Sequence, residues 1–153
     1  VESVWDYPRP PRLEAFHGSG KVIAKGITIA ESTGSFRVLE TSHPPVYYIP
    51  MEDIASEYLK KTNKTSVCEF KGKATYWNLE IGEEVIENAA WSYENPVPAY
   101  GAIAGYLAFY AEKMDACYVN GEQVKSQEGN FYGGWITSNI CGPFKGAKGT
   151  EGW

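Results

Sequence analysis

A mainly β domain, made α+β by one clear helix over residues 51–61, is what this sequence predicts, on three observations. Short runs of β-branched and aromatic residues recur along the chain and are separated by Gly, Pro and Asn. Only one stretch carries a strong helical stripe. The pair Asn120-Gly121 separates two strand-like runs, the composition that a type I′ hairpin turn demands. The 153 residues fit a single domain over 1–153, which at this size buries about 68–70% of its unfolded surface.

The elements follow in order. Residues 1–14, VESVWDYPRPPRLE, are proline-rich and read as an extended arm, with Trp5 and Tyr7 needing an apolar bed either on their own domain or on a partner subunit. KVIAK (21–25) and ITIAE (27–31) are strands broken by Gly26, and Thr33-Gly34-Ser35 turns the chain into the strand FRVLE (36–40). Alternation there places Phe36, Val38 and Glu40 on one face and Arg37 and Leu39 on the other, so Arg37 meets Glu40 only if the strand bends. Pro44-Pro45 stiffens an elbow at His43, and 45–49 is extended.

Met51, Ile54, Ala55, Tyr58 and Leu59 then form an apolar stripe at helical spacing. Glu52 and Asp53 fall in its first turn, Lys60 and Lys61 in its last, and Asn63 stops it. Residues 65–70 and 74–81 are strands joined at Lys71-Gly72-Lys73; Thr75, Trp77, Leu79 and Ile81 share the apolar face, with Tyr76 opposite. Residues 84–93 extend the sheet, Asn95-Pro96-Val97-Pro98 ends it, 99–106 is a short helical turn, and YLAFYA reads as a buried strand. The glycine-rich tail from Phe131 carries too many rings for disorder and is expected to wrap the sheet, docking Trp153. Phe-Lys-Gly occurs twice, at 70–72 and 144–146, an echo that fits either a decayed duplication or chance.

Composition narrows the function. The net charge is −5, from 14 basic and 19 acidic side chains. Binding to nucleic acid draws on clustered cations, and the one cluster, Lys60-Lys61 with Lys64, is accounted for by a helix end; no nucleic-acid partner is expected. No run reaches the ~18 apolar residues of a membrane span, and no leader-like segment opens the sequence, so no membrane partner is expected. Three scattered cysteines read as free thiols in a reducing compartment, which makes the expected location cytoplasmic. Five Trp, eleven Tyr and six Phe exceed what a small core needs, so some rings line a cleft or an interface.

The candidate site centres on 36–50. His43, held by the elbow, serves either as general acid or base or as a hydrogen-bonding turn residue. Glu40 orients His43, or acts as base, or forms a structural ion pair with Arg37 or a lysine. Arg37 suits bidentate capture of carboxylate or phosphate. Lys71 and Lys145, each followed by glycine, bring a cation to an anion or sit solvated in turns. Tyr48, Trp77, Trp91, Tyr93, Tyr110 and Trp135 supply a stacking wall for a planar ligand. Cys68 is a nucleophile if Lys71 lowers its pKa. The cysteines and His17 and His43 lack the close pairs of a zinc site, so no metal is expected and the cofactor is left open.

The segments WDYPRPPRLE, RVLETSHPPVYYIP, CEFKGKATYW, AAWSYENP, LAFY, GGWITS and GPFKG together resemble the family called domain of unknown function 427, nearly end to end. The resemblance implies a β-tent-like domain of antiparallel strands, a fold type shared with a methionine sulfoxide reductase. A nucleotidyltransferase label attached to the family implies no mechanism that maps onto these residues: neither an Asp-x-Asp pair of the kind a two-metal site needs nor a Gly-Lys-Ser/Thr phosphate loop occurs. Glu69 stands where the family has proline, and the Cys-x-x-Cys metal knuckles of β-tent relatives are missing too. The expected function is a small-molecule-binding domain for an anionic or planar ligand, with enzymatic use of a His/Glu/Arg cluster left open, in a monomer or weak homodimer. The alternatives are an interaction or self-association module built on the arm and tail, and a cysteine-based redox enzyme.

Overall fold

The structure, a computed structural model, describes residues 1–129 and 131–153. Strands take 47% of the chain and short helical turns 12%, so the protein is mainly β. The strands in chain order are β1 (Glu2–Ser3), β2 (Arg12–Ala15), β3 (Gly20–Ala24), β4 (Ile27–Ser32), β5 (Phe36–Leu39) and β6 (Val46–Tyr48). Then come β7 (Leu59–Cys68), β8 (Gly72–Ile81), β9 (Glu84–Ser92), β10 (Leu107–Phe109), β11 (Ala116–Val119) and β12 (Glu122–Gln123), followed by β13 (Lys125–Ser126), β14 (Trp135–Ile136) and β15 (Ile140–Cys141).

Two four-stranded sheets, ordered β10-β9-β8-β7 and β12-β11-β3-β4, and a three-stranded sheet, β2-β5-β6, carry the architecture. Within these three sheets the pairings are antiparallel. Ile49 and Leu107 exchange backbone hydrogen bonds of 2.8 and 2.9 Å, which splices the end of β6 to β10 and sets the three-stranded sheet beside the β7–β10 sheet. Asn120 and Gly121 have φ of 50° and 80°, both positive as a type I′ turn requires, between the paired strands β11 and β12.

The helix expected over 51–61 is not formed. Residues Met51–Asp53 and Ser56–Tyr58 are separate 3-10 turns, and Leu59 already begins the ten-residue strand β7. Between the turns Ile54 is extended (φ −116°, ψ 140°) and bridges Ala30, and the Ala55 N–H donates to Ile29 O at 2.7 Å. Two short turns separated by an extended residue repeat apolar side chains at nearly the same interval as a helix, so the stripe alone does not tell them apart. Lys60 and Lys61, expected as a helix end, lie on an edge strand, where charge blocks pairing with another chain. Asn63, expected as the stop, falls where the β7–β8 register shifts between Lys61 and Thr65.

Alternation on the central strands feeds two apolar clusters. Ile49, Leu79, Ala90, Leu107, Phe109 and Trp135 belong to the larger, with Trp77 packed against it. Tyr48, Tyr76, Trp91, Tyr93, Ala108 and Tyr110 belong to the second, between the β7–β10 sheet and the β5–β6 hairpin. The arm folds back on its own chain. Val4 and Tyr7 pack with Leu39 and Ile140, β1 pairs in parallel with β15, and Trp5 meets Trp153 edge-on at 5.2 Å.

Candidate functional site

The second cluster stops short of closing. Between the ring-bearing face of β8 and β9, the elbow 40–46 and the tail at 131–133 lies a cavity of about 310 Å³, at the small end of ligand pockets. Register explains its wall: Tyr76 and Trp91 are direct cross-strand partners, so both rings stand on one face, and Tyr93 follows two residues on. Val38 and Glu40 line the cavity from β5 and the elbow, Tyr48 from β6, Cys68 and Lys71 from the β7–β8 turn, Tyr132 and Lys145 from the tail.

The tail approaches this wall only because it carries two glycines. A Cβ on Gly133 would lie 2.2 Å from Trp91 Cη2, and one on Gly134 would lie 2.5 Å from the Pro44 carbonyl oxygen. Their absence seats the chain over both surfaces, and the Trp135 N–H donates to Pro45 O at 2.8 Å.

His43 is 7% exposed. Its Nε2 lies 3.7 Å from Glu40 Oε2, its Nδ1 lies 3.3 Å from Gln127 Nε2, and its ring meets Tyr132 edge-on at 4.9 Å. Burial, with Lys145, Arg9 and Lys71 adding positive charge nearby, holds the imidazole pKa down to about 4. The neutral ring is therefore the resting form at neutral pH. Glu40 is shared with the arm, its Oε2 lying 3.7 Å from Arg9 Nε.

Lys71 is also 7% exposed and forms no ion pair among the described residues. Its Nζ is not among the fully buried polar atoms without a partner, so the stem is buried while the ammonium keeps access to the cavity. Its Nζ lies 5.8 Å from the Tyr93 ring centroid, and Lys145 Nζ lies 5.3 Å from that of Tyr132. Lys64 and Lys113 take like positions over Tyr76 and Tyr110, at 4.7 and 5.3 Å. Of these four lysines only Lys71 and Lys145 line the cavity, which also holds two carboxylates, Glu40 and Glu69. Burial pushes the phenols of Tyr48, Tyr93 and Tyr110 up, so they remain hydroxyls. The Tyr110 hydroxyl donates to Phe131 O at 2.8 Å, and Tyr48 O accepts from Trp91 Nε1 at 3.3 Å.

Of the residues singled out in the sequence, His43, Glu40, Tyr48, Lys71, Trp91, Tyr93, Tyr110 and Lys145 line this cavity, and Cys68 joins them. Arg37, Trp77 and Trp135 do not. β5 pairs with β2 and β6 without a bulge, so Arg37 points to the opposite face, where its guanidinium binds Glu2 and Glu14 at 2.9 Å each. Trp77 sits on the opposite face of β8 from Tyr76 and donates Nε1–H to Ser92 Oγ at 3.0 Å. Trp135 stacks on Tyr47 in the larger core and donates to Phe109 O. Sequence reasoning missed Tyr132 and Gln127. Tyr132 had a signal, a ring directly before the Gly-Gly that lets the tail close in; Gln127 had none.

The two Phe-Lys-Gly passages converge here, since Lys71 and Lys145 line the same space. Cys68, Cys117 and Cys141 are all free. Cys117 is buried, which pushes its thiol up to about 12. Among the described residues no group of three His, Cys, Asp or Glu could hold a metal ion, and no helix is long and apolar enough to cross a membrane.

The family model described as "Domain of unknown function (DUF427)" matches residues 12–120. That span includes the sheet, the elbow and Lys71, while Phe131, Tyr132, Gly133 and Lys145 lie beyond it. No curated protein matches the chain.

Proposed function

We propose that this chain, which belongs to the family of domain of unknown function 427, is a small-molecule-binding domain whose pocket takes a ligand with a planar ring and an anionic group. The observation that carries the reading is Lys71, 7% exposed, in no ion pair among the described residues, and lining a cavity rich in rings. Lys71 and Lys145 both line the cavity in a protein of net charge −5, and a cation in a cleft with low-dielectric walls draws an anion more strongly than one in open water. The rings of Trp91, Tyr93 and Tyr132 offer stacking surface, and the hydroxyls beside them supply orientation.

Binding is better supported than acid–base catalysis. His43 lacks the near-neutral pKa that suits a general base, and Arg37 is engaged on the other face. The reading takes the sheets as β-tent-like, as the family resemblance implies, and the free cysteines support a cytoplasmic setting. The arm buries Val4 and Tyr7 on its own chain, while Trp5, edge-on to Trp153, stays 42% exposed, so the arm supports an interaction module less than the cavity supports binding.

The test is a thermal-shift panel of nucleotides, sugar phosphates, aromatic carboxylates and aromatic sulfonates. Compounds combining ring and anion raise the melting temperature of wild type and not of a Lys71→Met/Lys145→Met double variant. Equal shifts in both proteins for every compound overturn the reading.

A further inference from the structure

Gln127 is 2% exposed and belongs to none of the sequence motifs, yet each of its amide atoms is used. Oε1 accepts from the Gly134 N–H at 3.1 Å, and Nε2 donates to Lys145 O at 2.7 Å. A backbone N–H can only donate and a carbonyl can only accept, so these two bonds fix which end of the amide is which. The nitrogen end is therefore the one that lies 3.3 Å from His43 Nδ1. A hydrogen on Nδ1 would point at the amide hydrogens; a lone pair there accepts one. In a neutral imidazole the remaining hydrogen sits on Nε2, on the side of the cavity-lining Glu40.

We propose that Gln127 is a positioning residue that locks His43 in the neutral Nε2–H tautomer, so that the imidazole serves the pocket as a fixed hydrogen-bond donor and not as a general base. The consequence for binding rests on the anion-pocket reading above; the tautomer itself does not. The groups around the ring agree with the assignment. Glu40 on the elbow favours a donor at Nε2, whereas Arg9 from the arm, Lys71 from the β7–β8 turn and Lys145 from the tail all oppose a second proton, as burial does. Tyr132 covers the ring edge-on and lends it no charge. Nε2–H lies on the Glu40 side of the ring, 3.7 Å from Oε2, so an anion reaches it only alongside that carboxylate, and the affinity of a non-titrating anion for the two lining lysines does not depend on imidazole protonation.

The test uses a His17→Asn background, which leaves one histidine, labelled with 15N. In the ligand-free protein between pH 5.5 and 8, the nitrogen spectrum shows one protonated nitrogen, Nε2, and an unprotonated Nδ1, with no midpoint in that range. Gln127→Glu places a carboxylate at Nδ1, moves a proton there and brings a titration midpoint into the range. Predominant Nδ1–H, or a midpoint near 6.5, in the protein with Gln127 intact overturns the proposal whether or not the Glu variant folds. In parallel, benzenesulfonate, whose charge is constant over this range, binds with a Kd that changes less than threefold from pH 8 to 5.5. A tenfold gain on acidification shows binding by an imidazolium and also overturns it. Failure of every ring-and-anion compound to bind, with the Nε2–H tautomer observed, contradicts the ligand reading alone.

Discussion

Arg37 donates Nε–H to Glu14 Oε1 at 2.9 Å, directly across the β2–β5 pairing in which the two residues are partners. Its Nη2 reaches Glu2 as well, and Glu2 in turn accepts from the Tyr7 hydroxyl at 2.6 Å. One nearly buried guanidinium thus ties the arm to the three-stranded sheet. The same bonds hold the Glu2 carboxyl below its usual range. Arg37→Met removes that tie while leaving two partly exposed acids, so it costs about 1–3 kcal/mol, read as a lower melting temperature and faster proteolysis near the arm. Binding of ring-and-anion compounds is unchanged, because Arg37 is remote from the cavity wall.

Lys71 behaves in the opposite sense. Replacing it with methionine removes a cavity-facing charge that has no ion-pair partner among the described residues, so stability changes by no more than about 1 kcal/mol. Anion affinity falls at least tenfold. Urea melts and calorimetric titration on the same preparation separate the two effects. A large loss of stability would assign Lys71 a structural role.

The pH dependence of stability follows from His43. Its folded pKa of about 4 lies below the unfolded value near 6.5, so between those limits the unfolded chain binds more protons. Stability from this group is full above about pH 6.5 and falls as pH drops toward 4, by roughly 3 kcal/mol at most. His43→Gln removes this component. Urea melts at pH 7 and pH 5 show a smaller pH loss in the variant than in wild type.

Gly133 is the point where the tail touches the ring wall. A methyl there meets Trp91 Cη2 at 2.2 Å and Tyr110 Cδ1 at 3.3 Å, neither of which retreats without repacking. Gly133→Ala therefore costs about 1–3 kcal/mol, alters tryptophan emission and weakens ligand binding by lifting Tyr132. Unchanged emission and affinity would mean that the tail does not cover the pocket.

Most of the strand order was legible because alternation and glycine punctuation are local signals. Gly26, Asn120-Gly121 and the β8–β9 run needed nothing beyond their neighbours. The 51–61 segment was not, since the choice between a helix and two turns is made by a distant partner: Ala30 bridges Ile54, and β8 pairs with β7. The site was legible in the same proportion. The elbow, the β9 rings and both Phe-Lys-Gly lysines announce themselves by proline, aromatic density and glycine. Arg37 was drawn in by residue type, and Trp135 by the room that Gly133-Gly134 leaves beside it, yet Trp135 is the core ring and Trp77 only packs against that core. The period-2 rule already placed Arg37 opposite Glu40, and a β5 without a bulge left it there. Gln127 reaches His43 across 84 residues of sequence, a meeting that no local pattern encodes.

The central claim, an anion seat at Lys71 inside a ring-lined cavity, is tested most directly by soaking crystals briefly in bromide and mapping the anomalous signal. The account predicts the strongest peak inside the cavity, within hydrogen-bonding reach of Lys71 Nζ and beside His43 and Lys145, and its loss in Lys71→Met crystals. Bromide on exposed lysines such as Lys60 and Lys73, with the cavity blank, would contradict it.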